Sequence, residues 1–345
     1  MVKKGKVSYS SPSNIAIVKY WGKEPGDQIP MNPSLSMTLK NSRSFTTVDY
    51  VVGPGTEPVV EIIFNGKRAI DIEAKLQRWF TKISYFFSWL RHAHLRIDSM
   101  NNFPHSAGIA SSASGMSALT TCLSAIDSEV NNGVFPPREV QSNIARLGSG
   151  SASRSLYGPW VIWGKTPAYP QAVDEHAMIV ADVHQDFQLL HDTIIVVDKT
   201  PKSISSRDGH TLMANHPWRK ARIDQANQNM QLLLQALKTG DWKLFETVTE
   251  NEALSLHGLM LSSEGGMMLW RGNTVEWMLY LKEIRWQTGI PMAFTLDAGA
   301  NLHLLYPDRY KKEVLEIIEN ASVPYIELIH DQTGLGPEKI SEEHG

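Results

Sequence analysis

Asn101-Asn102-Phe103-Pro104-His105-Ser106-Ala107-Gly108-Ile109-Ala110-Ser111-Ser112-Ala113-Ser114-Gly115 is the stretch on which the reading of the fold turns. Before it, Leu95, Ile97 and Ser99 alternate with Arg96, Asp98 and Met100, the period-2 pattern of a strand. After it, Ile109, Met116, Leu119, Leu123 and Ile126 recur at helical spacing. A turn of small residues between the two lets backbone approach a ligand, and the helix N-terminus beyond it favours negative charge. Phosphate is the expected ligand. The stretch carries neither G-x-x-x-x-G-K-[ST] nor G-x-G-x-x-G, so the common P-loop and dinucleotide mechanisms do not transfer to it. A closely packed helix start that binds nothing would use the same small residues.

Outward from this stretch, the chain of 345 residues is long for one core, and two domains are expected, 1–190 and 191–345, with the change falling near 185–200. A hydrophobic content of 42% and a charged content of 20% describe an ordinary globular protein. The 33 basic and 36 acidic residues leave a formal net charge of -3, which argues against nucleic-acid or membrane-surface binding but allows a local basic pocket. Cys122 is the single cysteine, so no intramolecular disulfide forms, and its neighbours Leu119, Leu123 and Ile126 mark it as a small core residue. The basic start Met1–Lys6 is not followed by the apolar run of a signal peptide, and no stretch is apolar for long enough to span a membrane. A cytoplasmic location is expected.

In chain order, residues 7–18 read as extended. Lys19-Tyr20-Trp21-Gly22-Lys23 then sets two lysines four apart around an aromatic pair, suited to phosphate oxygens, or else to a solvated surface around packed rings. Met31–Leu39 reads as a turn entering a strand. Phe45–Val52 and Val59–Phe64 are β-rich, and Asn65-Gly66 signals a type I′ hairpin. Residues 74–90 place Leu76, Trp79, Phe80, Ile83, Phe86, Phe87 and Leu90 on one helical stripe. A helix from about Pro137 to Leu147 runs into Gly148-Ser149-Gly150-Ser151-Ala152-Ser153-Arg154-Ser155-Leu156-Tyr157-Gly158, whose hydroxyls and arginine suit an anion.

Later, Thr193–Asp198 is an apolar strand, 202–210 a polar loop or helix cap, and 217–238, 241–259 and 273–287 are helical, the first ending at Gly240. Strand 292–296, strand 302–306, helix 308–320 and strand 324–329 complete an open α+β sandwich. The tail from Asp331 is polar and reads as loosely held. Asp297, at the end of a buried strand before Ala298-Gly299-Ala300, is either paired or catalytic, or bonds its own turn as an ordinary Asx arrangement.

The pattern Pro-x-x-x-Gly-x-x-Ser-Ser-Ala at 104–113 resembles the phosphate loop of the GHMP kinase superfamily. Four segments in order, Asn14–Lys23, Asn101–Gly115, Gly148–Gly158 and Thr295–Asn301, resemble the diphosphomevalonate decarboxylase family over most of the chain. The resemblance implies a ribosomal-S5-domain-2-like N-terminal domain beside a ferredoxin-like C-terminal domain, assembled as a homodimer. It implies ATP-dependent phosphorylation of the 3-hydroxyl of (R)-5-diphosphomevalonate, followed by loss of phosphate and CO2. It implies that Asp297 orients or deprotonates the hydroxyl, that Arg154 and Asn14 hold the carboxylate, and that Lys19 steadies moving charge. Tyr20, Lys23, Ser149, Ser151 and Ser206 then grip the diphosphate, with Ala16 lining the substrate site. Pro104, Ser106, Ala107, Gly108, Ile109, Ala110, Ser111 and Ser112 cradle ATP, and Ser112 contacts Mg²⁺.

The chain departs from the family pattern at His105-Ser106, at Ser153 where Cys is common, and at His210 where Met is usual. Phosphomevalonate decarboxylase, mevalonate 3-kinase and a non-catalytic nucleotide-binding protein are the alternatives. A serine hydrolase has no G-x-S-x-G elbow here, and the histidines form no H-E-x-x-H motif.

Overall fold

A computed structural model describes residues 2–104, 109–131, 133–200 and 206–340, with only the backbone described at 206–208. The first sheet is built on two long antiparallel strands, β1 (Lys3–Val18) and β2 (Ser34–Val52), and, with β12 (Glu338–Lys339) at its edge, runs in the order β12-β1-β2-β5-β3-β4. Its other members are β3 (Val59–Phe64), β4 (Lys67–Arg68) and β5 (Ala93–Asn101), with β6 (Trp160–Trp163) and β7 (Met178–Ile179) extending from β2. The expected hairpin joins β3 to β4: Asn65 and Gly66 have φ of 48° and 75°, the two positive values a type I′ turn requires. β5 alternates buried and exposed positions strictly, as its period-2 sequence demands.

Helices α1 (Ile70–Ile83), α2 (Ser111–Val130) and α3 (Arg138–Gly148) cover one face of this sheet. The single helix expected over 74–90 is a correction. α1 stops at Ile83, and a separate 3-10 turn, Ser88–His92, carries Leu90 into the same core as Leu76, Trp79 and Phe87. Seven aromatic or aliphatic side chains at one spacing looked like one helix, because two short elements burying the same face leave the same periodicity.

The second sheet has the order β11-β8-β10-β9, formed by β8 (Leu190–Val196), β9 (Ala293–Thr295), β10 (Leu302–Pro307) and β11 (Glu327–Gln332). Between β8 and β9 lie α4 (Ser206–Leu212), α5 (Arg219–Thr239), α6 (Trp242–Leu261) and α7 (Gly272–Thr288), and α8 (Lys311–Glu319) precedes β11. α5 ends as expected at Gly240, whose φ of 78° is the left-handed cap a Cβ would disfavour.

One core joins the two sheets: Ile15, Ile17, Leu35 and Met37 pack with Ile194 and Val196 and with Met230, Leu233, Phe245 and Val248 of α5 and α6. Each such buried side chain contributes about 1.5–3 kcal/mol. This packing delivers the end of β1 to the end of β9.

The tail is also a correction. Asp331 is buried in β11, and its carboxylate accepts the backbone N–H groups of Lys40, Asn41 and Ser42 at 2.9, 2.8 and 2.7 Å. β12 (Glu338–Lys339) then returns to pair with β1 at Tyr9 and Ser10. Polarity suggested a loose end, but the polar groups satisfy strand ends that would otherwise be unpaired. Among the described residues no helix is long and apolar enough to cross a membrane.

Candidate active site

β1 breaks off at Val18, and the next residue, Lys19, is only 1% exposed. A buried lysine needs partners, and both its backbone and its side chain have them. Its N–H donates to Glu252 Oε2 at 2.8 Å, while its carbonyl accepts from Arg222 Nη2 at 3.0 Å and Asn32 Nδ2 at 2.9 Å. Glu252, fully buried in α6, is bonded by both guanidinium nitrogens of Arg222 at 2.7 Å and by Asn229 at 2.6 Å. Burial alone would raise the Glu252 carboxyl, but Arg222, Asn229 and the Lys19 amide together hold it below its ordinary value. Lys19 therefore leaves the strand in one orientation, and its Nζ donates to Asp297 Oδ1 at 2.9 Å.

Asp297 lies just past β9, whose three residues are fully buried, and its own side chain is about one-quarter exposed. Its carbonyl lies 3.1 Å from His257 Nε2 of α6. The structure thus favours the paired reading of Asp297 over an isolated turn, and the buried reading of Lys19 over a solvated one.

Arg154 is handled differently. It sits in the 3-10 segment Gly150–Leu156, buried, with its guanidinium 5.9 Å from the Trp163 ring. Its partners are neutral: Ser34 Oγ at 2.6 Å, Ser36 Oγ at 3.0 Å and Asn14 Oδ1 at 3.3 Å. Among the described residues no carboxylate lies within ion-pair distance of it. Burial pushes its pKa down to about 10, with Asp297 and Tyr20 pulling in the other direction, so it stays charged at neutral pH. Asn14 is fixed in turn by donation to Ser155 Oγ at 2.8 Å. A buried cation met only by neutral acceptors is arranged to receive an anion.

Three hydroxyls form a second cluster. Ser112, in the first turn of α2, lies 3.4 Å from Ser149, and Ser149 lies 3.4 Å from Ser151. α2 starts after Ala110, whose side chain has no atom to cap it; in its first turn the Ser111 and Ala113 amides donate to the carbonyls of Ile109 and Ala110, which leaves the Ser112 amide for a ligand. Pro104, Ile109, Ala110 and Ser111 flank this start, whereas Ser106, Ala107 and Gly108 lie outside the described residues, as does the Ser206 side chain.

Tyr20 packs edge-on against Trp163 with centroids 4.8 Å apart, and among the described residues its enclosed hydroxyl has no partner. Burial raises its pKa, so it remains a neutral donor. Ala16 is buried on β1 opposite Ser36, and Lys23 bridges to Pro30.

Several residues of the site escaped the sequence reading. Ser34 and Ser36 alternate with Leu35 and Met37 in β2, and this period-2 polar face is legible in the sequence as strand but not as part of a site. Glu252 and Arg222 lie in separate helices, and nothing local ties them to Lys19. Among the described residues no His, Cys, Asp and Glu cluster could cage a metal ion.

Two family models match the chain: a diphosphomevalonate decarboxylase-like N-terminal domain over residues 11–174 and a mevalonate 5-diphosphate decarboxylase C-terminal domain over 193–340. The curated diphosphomevalonate decarboxylase of Ganoderma lucidum is 31% identical over 94% of this chain and 84% of its own length. The mevalonate diphosphate decarboxylase structure from Staphylococcus aureus is similar at a TM-score of 0.85 and 25% identity, covering 99% of both chains. Another structure, of MDDEF in complex with MVAPP, AMPPCP and magnesium, matches at a TM-score of 0.82 and 26% identity over 98% of this chain and 99% of that one. The motifs, the α+β architecture with its buried Lys19–Asp297 pair, and these relatives agree: the chain belongs to the diphosphomevalonate decarboxylase family.

Proposed function

We propose that the chain catalyses the ATP-dependent decarboxylation of (R)-5-diphosphomevalonate to isopentenyl diphosphate, ADP, phosphate and CO2. The observation that carries this reading is the contrast within one pocket. Asp297 is ion-paired at 2.9 Å to a clamped Lys19, while Arg154 nearby has only neutral partners. In this reading the Asp297 carboxylate accepts the proton of the 3-hydroxyl as its oxygen attacks the γ-phosphoryl group of ATP. Lys19, ion-paired to Asp297, offsets charge as the phosphoryl group moves. Departure of the new phosphate leaves cationic character at C3. The bond between C2 and the carboxyl carbon then breaks, its electrons forming the alkene as CO2 leaves.

Arg154 and Asn14 hold the departing carboxylate in line. Tyr20, Lys23, Ser149, Ser151 and Ser206 bind the diphosphate, with Ala16 lining the site, and residues 104–112 bind the nucleotide. Mg²⁺, when bound, neutralises charge on the transferring phosphoryl group. In this reading residues 1–190 form the ATP-binding domain and 191–345 the second domain, in a cytoplasmic homodimer.

The test mixes protein and Mg-ATP with mevalonate, 5-phosphomevalonate or 5-diphosphomevalonate and records CO2 and ADP separately. Equal CO2 and ADP with the diphosphate alone is the expected result. CO2 from the monophosphate, or ADP without CO2, would replace the reading by phosphomevalonate decarboxylase or a 3-kinase.

A further inference from the structure

His210, in α4, stands where the family pattern has methionine, and the fold packs its ring against Tyr20 and Trp21. Its ring lies 4.4 Å from that of Tyr20 and 5.0 Å from that of Trp21, centroid to centroid. The approach is close because the preceding residue is Gly209: a Cβ there would come within 2.3 Å of the Trp21 indole. Nδ1 accepts the N–H of Gly22 at 2.9 Å. A backbone amide can only donate, so Nδ1 is the unprotonated nitrogen and the ring proton is on Nε2. Among the described residues Nε2 has no hydrogen-bond partner.

The charged groups that His210 feels are Lys23, on the segment after β1, and Arg154, on the 3-10 segment. Burial first, and these two cations second, push its pKa down to about 3, so the imidazole is neutral at working pH. A neutral N–H donor adds an anion contact beside two cations without repelling either. Methionine at this position offers no donor.

We propose that His210 is a further substrate-binding residue of this chain, its Nε2–H donating to a phosphate oxygen of the diphosphate while Nδ1 stays on Gly22. The proposal rests on the reading above that Tyr20, Lys23, Ser149 and Ser151 surround that diphosphate.

Two isosteric substitutions separate the two ring nitrogens. His210→Asn keeps an acceptor near the Nδ1 position for Gly22 but loses the distal donor. His210→Gln carries an amide N–H near the Nε2 position but lets go of Gly22. A hydrogen bond to a charged group predicts that His210→Asn raises KM for 5-diphosphomevalonate by about tenfold or more. His210→Gln should stay within about threefold, and KM for ATP should be unchanged in both variants. The reverse order would overturn the proposal in favour of a brace for Gly22; so would equal losses in both variants, or none.

A measurement without turnover guards against misfolded variants. Nitrogen-15 spectra of the histidines in the unmodified protein are followed as 5-diphosphomevalonate is added without ATP. The Nε2 resonance of His210 should shift in the neutral tautomer, and its invariance at saturation would overturn the proposal. Failure of the unmodified protein to release CO2 from any substrate would instead overturn the functional reading, which these spectra do not test.

Discussion

Two buried cations a short way apart in this molecule are treated in opposite ways. Lys19 is held at every polar atom that can be held: amide on Glu252, carbonyl on Arg222 and Asn32, ammonium on Asp297. Arg154 is equally buried, yet it is met by two serine hydroxyls and one amide oxygen. Desolvating a charge costs several kcal/mol unless an opposite charge offsets it. At Lys19 the fold offsets the cost itself, which locks position. At Arg154 part of the cost is left outstanding until an anion arrives, which favours binding.

The contrast can be broken most sharply at Asp297. Asp297→Asn keeps the shape but removes the base, and both CO2 and ADP release should fall by about 10²–10⁴-fold with the circular dichroism spectrum unchanged. Loss of CO2 with ADP formation intact would show that Asp297 has no part in phosphoryl transfer.

Arg154→Met comes next and should separate binding from stability. Turnover should fall by about 100-fold or more, since a charge-assisted contact of about 1.5–3 kcal/mol to the carboxylate is lost along with its alignment. The melting temperature should hold or rise, because an incompletely compensated buried charge has been replaced by apolar volume. A clear fall in melting temperature would mean that the serine contacts stabilise the fold in their own right.

Glu252→Gln tests the other side. It leaves Arg222 buried without its counter-charge and should destabilise the protein by about 3–5 kcal/mol, measured by urea unfolding. Glu252→Leu combined with Arg222→Met should recover much of that stability but not the activity, since Lys19 loses its two anchors. If the double variant turned over normally, the clamp would be structural only.

The smallest effect concerns acid. His210 has a folded pKa lowered by burial to about 3, well below its ordinary value. Between those two values the unfolded chain binds more protons, so this group's contribution to stability is present above about pH 6.5 and is lost as pH falls towards 3. One such group gives a slope of at most about 1.4 kcal/mol per pH unit. His210→Met should flatten the fall in melting temperature between pH 6.5 and 5, and an unchanged profile would mean that His210 is solvated.

The sequence by itself determined what depends on near neighbours. Period-2 alternation settled β5, the Asn65-Gly66 pair its hairpin, Gly240 the end of α5, and the spacing of glycines and serines the phosphate-loop resemblance. The settings of Asp297, Lys19 and Arg154 single them out, each with a plain structural alternative left open, whereas Asn14 enters only through the family resemblance.

The tertiary structure decided everything that needed two distant segments at once. It alone broke the stripe at 74–90 into a helix and a turn, since two elements packing on one face mimic a single period. It alone turned the polar tail into a strand latched through Asp331 to residues 40–42, nearly three hundred positions away. And it alone assigned opposite roles to Lys19 and Arg154. Whether a buried charge is offset depends on what lies within about 4 Å of it, where the Coulomb interaction is large and water is excluded. For Lys19 those neighbours are Asn32 before β2, Asp297 after β9, and Arg222 and Glu252 of α5 and α6, segments whose order in the chain carries no sign of their meeting.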